Sequence, residues 1–317
     1  MKTEYLIAII DDNESGLKSA MGEIQRFLKK EAILLNYQII IVNNDWKAEA
    51  DENFNKLMNE PELDMVLVDF NLDDSFKGDA VIEYIRESGV NYHVPIVFYT
   101  SQNVDNLVNR SNQNRVKSGK QVFEGIYYTD RDFLEGKVTS ILESLIKKEN
   151  TIQRGRGLLL DSCSEIEAKI SQIFSLLKIK LVNKKAAAKI IFKHLKRGAS
   201  DSFKKKLHKE NDVSIFNFIN SSDCRTHTHK KVASLYEILS MPELSSLITA
   251  GKVSVFGRLY SDIVSKSPSK QGLMDFRNIY SHCSKVDIIP IHNPKYIRQE
   301  CIAQLQNLDS IIDLLNS

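Results

Sequence analysis

The chain is poor in the residues that staple or break structure. Its four cysteines, Cys163, Cys224, Cys283 and Cys301, show no paired spacing in 317 residues. That excludes a disulfide framework and predicts free thiols in a reducing cytoplasm. The thirteen glycines are scattered, so no glycine-rich loop is placed to cradle a phosphate. No apolar run is long enough to cross a bilayer. The N-terminus lacks the basic-then-apolar layout of a signal peptide, and a cytoplasmic protein without membrane segments is expected. No internal repeat or low-complexity stretch stands out. The usual DNA-reading signatures, a short helix-turn-helix pair among them, are missing too.

What is present is an asymmetry of charge. The overall +2 hides two unlike halves. Residues 1–150 carry 17 Lys+Arg against 26 Asp+Glu, a net of −9, and residues 151–317 carry 26 against 15, a net of +11. The length predicts two domains, each large enough for its own core. The basic half predicts a polyanionic partner, although lysine-rich helices are also simply solvated.

The first half alternates strand and helix signals. Apolar runs at 5–10, 38–42, 65–69, 95–99 and 122–128 read as strands covered on both faces, because they lack strict polar alternation. Helical patterns fill the gaps near 14–30, 46–59, 77–88, 103–118 and 131–148. Five such units predict a doubly wound, five-stranded parallel α/β sheet over residues 1–148. Its functional crevice lies at the carboxyl ends of the strands. There Ile7-Ala8-Ile9-Ile10 leads into Asp11 and Asp12, Met65-Val66-Leu67-Val68 leads into Asp69, and Tyr99 leads into Thr100. A carboxylate that attacks phosphorus needs its charge neutralised, and Mg²⁺ prefers a few carboxylates plus a carbonyl. Asp11, Asp12, Asp69 and the Asn71 carbonyl form such a set, with Asp69 also the nucleophile.

This arrangement resembles the CheY-like receiver domain of two-component response regulators, over roughly residues 4–148. The resemblance implies Asp69 as phosphoacceptor, Mg²⁺ on Asp11, Asp12, Asp69 and Asn71, and Thr100 as switch. It also implies a sensor histidine kinase or small phosphodonor as partner. One position departs from the family. The lysine that ends the fifth strand is missing; the place falls near Thr129, in Tyr127-Tyr128-Thr129-Asp130-Arg131. Arg131 and Lys137 are the nearby cations. A pocket that senses something other than a phosphoryl group stays open.

Residues 149–157, ENTIQRGRG, read as a linker. Residues 158–317 read as all-helical. Leu159, Cys163, Ile166, Ile170, Ile173, Phe174 and Leu177 line one helical face. Further helices are expected near 183–197, 202–219, 230–240, 243–249, 252–265, 271–283 and 295–315, with prolines between them. Within MDFRNIYSHCSKV, residues 274–286, Arg277 and His282 enclose four residues, and Asn278 follows the arginine. This resembles the R-x(4–6)-H motif of HEPN-type helical ribonucleases. The resemblance implies metal-independent RNA cleavage by Arg277, Asn278 and His282 in a homodimer, in stress or phage-defence signalling. The chemistry is sound: histidine moves protons near neutral pH, and an arginine fork suits phosphate oxygens. The motif is short; about one chance match is expected in this composition, and Arg86 with His93 supplies one. The alternative is a non-enzymatic regulator whose helices bind a protein partner or nucleic acid. Cys224, His227 and His229 lack a second ligand pair and read as a polar loop. Lys204-Lys205-Lys206 with Lys209 reads as a solvated face or an RNA-facing patch. Trp46 and Tyr84 read as packing residues.

Overall fold

The computed structural model describes the chain outside residues 43–45, 73–77, 88–93, 103, 106–107, 109–123, 223, 225–227, 261–271 and 283–293, and outside the side chains of residues 49, 152–153 and 279–282. It divides into two compact units, Lys2–Asn150 and Thr151–Ser317, with Met1 grouping with the second.

The first unit is built on five strands: β1 Glu4–Asp11, β2 Leu34–Ile41, β3 Leu63–Asp69, β4 Ile96–Thr100 and β5 Ile126–Asp130. All neighbours pair in parallel, in the order β2-β1-β3-β4-β5. Central strands are buried on both faces, as their unbroken apolar runs require. The edge strand β2 leaves Leu34, Tyr37 and Ile41 exposed. Because side chains alternate along a strand, neighbouring residues of β1 serve different faces. Ile7 and Ile9 pack with α1 (Lys18–Lys30) and α4 (Leu134–Glu149). Ala8 and Ile10 pack with α2 (Glu52–Met58) and α3 (Gly78–Glu87). Most of the helix expected over 103–118 lies outside the described residues.

The start of α3 presses on the end of β3. A Cβ on Gly78 would lie 2.1 Å from the Asp69 carbonyl oxygen and 2.7 Å from the Phe98 ring. The Gly78 amide donates to the Phe70 carbonyl at 3.0 Å. Only glycine permits that approach.

The second unit is helical. Its long helix α5, Ile152–Lys180, begins inside the stretch expected as linker. The Thr151 hydroxyl caps it by accepting the Arg154 amide at 3.3 Å, which offsets part of the cost of about 1 kcal/mol for each helical glycine. The next helices are α6 Lys184–Lys196, α7 Asp201–Leu207, α8 Ile215–Asn220, α9 Thr228–Leu239 and α10 Ala250–Gly257. They are followed by α11 Leu273–His282 and α12 Pro294–Asn316. All seven apolar residues assigned to the inner face of α5 are buried, and they join one core with α12 and its Cys301, Leu308 and Ile311. Gln304 and Asn307 of α12 donate to the Val255 and Lys252 carbonyls at 2.6 and 2.9 Å, so its buried amides tie it to α10. The helix expected over 202–219 is two, because the Asn211 carboxamide accepts the amides of Val213 and Ser214 and turns the chain. Residues 243–249 form successive turns rather than a helix. Among the described residues no helix is long and apolar enough to cross a membrane. Cys163, Cys224 and Cys301 are buried, and none forms a disulfide among the described residues.

Candidate functional site

Three strand ends place the candidate site. Asp11 closes β1, Asp69 closes β3 and Thr100 closes β4; all three are buried. Asp12, next in sequence, is exposed. One carboxylate oxygen each from Asp11, Asp12 and Asp69 lies within 4.8 Å of the others. Thr100 accepts the Gln102 amide at 3.0 Å, and the Asn71 carboxamide reaches its hydroxyl at 3.5 Å. Every residue expected in this pocket is therefore at its rim or floor.

The sequence does not place the cation that completes it. Thr129 is buried at the end of β5 and its hydroxyl donates to the Asp130 carbonyl. Two residues further, Arg131 turns back over the pocket. Its Nη2 donates to Asp11 Oδ2 and to Asp69 Oδ2, both at 2.9 Å. Its guanidinium lies over the Tyr99 ring, 5.3 Å from the centroid. Gly16 makes room for it, since a Cβ there would lie 2.8 Å from Nη1. Lys137, the other nearby cation, lies over the Tyr127 ring.

The two buried acids differ in how fully they are satisfied. Asp11 Oδ1 accepts the Asn13 amide at 2.8 Å, and Oδ2 accepts the Tyr99 hydroxyl at 2.5 Å besides Arg131. Burial and the Asp11 carboxylate hold the Tyr99 phenol well above its ordinary range, so it remains a donor. Asp69 has Arg131 on Oδ2, while its buried Oδ1 has no hydrogen-bond partner among the described residues. Burial pushes the Asp69 carboxyl up to about 7, against the pull of Arg131 and with Asp11 and Asp12 adding, while the Asn71 backbone amide pulls it weakly down. Burial and Asp11 also raise Asp12. The pocket thus holds one fully engaged acid, one half-engaged acid and one charge near water.

The second candidate site is partly described. Arg277 lies on α11, and its Nη1 donates to Glu167 Oε1 of α5 at 3.2 Å. The same oxygen accepts the Thr228 hydroxyl at 3.0 Å. Asn278 is exposed, and His282 ends the helix with its side chain outside the described residues. Glu167 and Thr228 have no signal in the sequence, because three distant segments meet there. Of the competing pair, Arg86 donates to the Val94 carbonyl at 2.9 Å, and His93 lies outside the described residues. His227 and Cys283 do as well, whereas Cys224 is buried and His229 packs edge-on against Tyr260 at 4.7 Å. Trp46 and Tyr84 both pack against Phe54.

Comparison of the chain with protein families, curated proteins and solved structures finds no match.

Proposed function

We propose that the chain is a response regulator: a receiver-type pocket accepts a phosphoryl group on Asp69 and governs a helical output domain. The observation that carries this reading is Arg131 joining Asp11 and Asp69 while Asp69 Oδ1 has no hydrogen-bond partner among the described residues. A buried carboxylate oxygen without a donor is costly as structure and useful as a nucleophile. That oxygen attacks the phosphorus of a phosphodonor such as acetyl phosphate or a kinase phosphohistidine. A bond forms from Asp69 to phosphorus, and the bond to the leaving group breaks with its electron pair. Arg131 offers N–H donors to the phosphoryl oxygens, the role that a strand-end lysine fills in the resembling family. Thr100 has a hydroxyl at the same rim to donate once the group arrives.

The donor set also fits a hard divalent cation such as Mg²⁺. Asp12, Asp69 and the Asn71 carbonyl would hold it, with Asp11 adding charge; it would neutralise the phosphoryl oxygens. Both oxygens of Asp11 already accept hydrogen bonds, so Arg131 and a cation share one task.

For the output we propose metal-independent RNA cleavage in a homodimer, with Arg277 holding phosphate, His282 moving the proton and Asn278 on the same helix. The net charge of +11 on residues 151–317 supports a polyanionic substrate. The bond from Arg277 to Glu167 favours the second reading, in which the arginine holds helices together and the domain binds a partner without chemistry. The test separates them. With EDTA present, purified protein should cut RNA, phosphodonor should change the rate, and His282→Ala should abolish cutting while leaving the thermal melt unchanged. Equal cutting by His282→Ala, or none by the wild type with and without phosphodonor, selects the non-enzymatic reading.

A further inference from the structure

The helical unit carries a cleft that neither site uses. It lies between α6 and α9 and encloses about 590 Å³, lined by His194, Arg197, His229, Lys230, Tyr236 and Glu237 among others. That volume is ordinary for a small-molecule site.

The charges in the cleft are unevenly matched. Glu237 is spoken for: Lys193 donates to both its oxygens at 2.9 Å, and His194 Nε2 lies 2.8 Å from Oε2. Burial pushes the Glu237 carboxyl up, but these partners outweigh it and hold it below its ordinary value. The cleft's two other cations lack such a match. Lys230 donates to the Leu195 carbonyl at 3.3 Å, and among the described residues no carboxylate pairs with it or with Arg197. Burial lowers Lys230, whose Nζ also lies over the Phe203 ring, 6.0 Å from its centroid. Two imidazoles flank these cations. His229 is one of them, and it follows Thr228, which bonds Glu167 beside Arg277. Tyr236 supplies an aromatic wall.

We propose that this cleft binds a nucleoside phosphate: Arg197 and Lys230 take the phosphate, His229 donates to its oxygens, and Tyr236 stacks on the base. A planar guanidinium and a compact ammonium are complementary phosphate partners. An aromatic face accepts any base. The ligand is either a free mononucleotide or one nucleotide of an RNA strand; both present the same phosphate and base. The binding site does not depend on cleavage by His282.

The experiment is equilibrium binding to the full chain, with 5′-AMP, a labelled ten-nucleotide RNA and inorganic phosphate as probes. Wild type should bind 5′-AMP at least tenfold more tightly than inorganic phosphate. Arg197→Ala, at an exposed position, should weaken 5′-AMP at least tenfold while the thermal melt is unchanged. Lys230→Met should do likewise; if it fails to fold, Arg197→Ala decides alone. Tyr236→Ala should narrow the gap between 5′-AMP and phosphate. Competition of RNA by 5′-AMP places a strand in the cleft. RNA binding untouched by 5′-AMP assigns the cleft to the free nucleotide. Failure of 5′-AMP to bind, or binding indifferent to Arg197→Ala, overturns the proposal, and neither result bears on RNA cleavage by His282.

Discussion

At the scale of single residues, the acid pocket depends on which charge faces which. Arg131 is the only described cation bonded to Asp11 and Asp69. Removing one partner of a buried ion pair typically costs about 3–5 kcal/mol, because the other charge is stranded. Arg131→Met should therefore lower stability by about that amount in EDTA, and added Mg²⁺ should recover much of it in a denaturant titration. No recovery would mean that the acids do not share a cation site. Gly16→Ala crowds the guanidinium without removing it and should give a smaller loss with the same recovery. Asp69 adds a pH signature. Its folded carboxyl titrates near 7, above its ordinary 3.8. Between those values the folded state holds a proton that the unfolded state has released, so stability falls as pH rises from about 4 to about 7 and is then level. Urea melts in EDTA should show that slope, and Asp69→Asn should remove most of it, leaving the part due to the other raised acids such as Asp12, and raise stability at pH 8. A flat wild-type profile would contradict the buried acid.

At the scale of elements, legibility follows the range of the interactions. The α5 face from Leu159 to Leu177 was readable because one residue every three or four repeats the same burial. Phe174→Ala should cost about 3–5 kcal/mol, as a fully buried aromatic does, measured by thermal or urea unfolding. A loss below 1 kcal/mol would contradict the packing. The strand ends were readable for a similar reason: an apolar run stops where the sheet stops, so Asp11, Asp69 and Thr100 share one edge. Arg131 was not. Its backbone stands two residues beyond Thr129, and the sequence does not show where a long side chain turns. The node of Glu167, Thr228 and Arg277 was hidden because its members come from three helices. Asn211 hid a helix break in one side chain.

At the scale of the whole molecule, an acidic α/β unit is joined to a basic helical unit, and the proposed function gives the first the switch and the second the output. The division follows the charge of the two halves, and the boundary at Asn150 and Thr151 falls inside the stretch 149–157 expected as a linker. The central claim is that Asp69 receives a phosphoryl group in a pocket whose cation is Arg131. Intact-mass spectrometry after incubation with acetyl phosphate and Mg²⁺ tests it most directly. The wild type should gain a single phosphoryl group that is lost in base, as an acyl phosphate is. Asp69→Ala should gain none, and Arg131→Met should gain it at least tenfold more slowly. A wild type that gains nothing, or an Asp69→Ala chain that gains as much, would contradict the account.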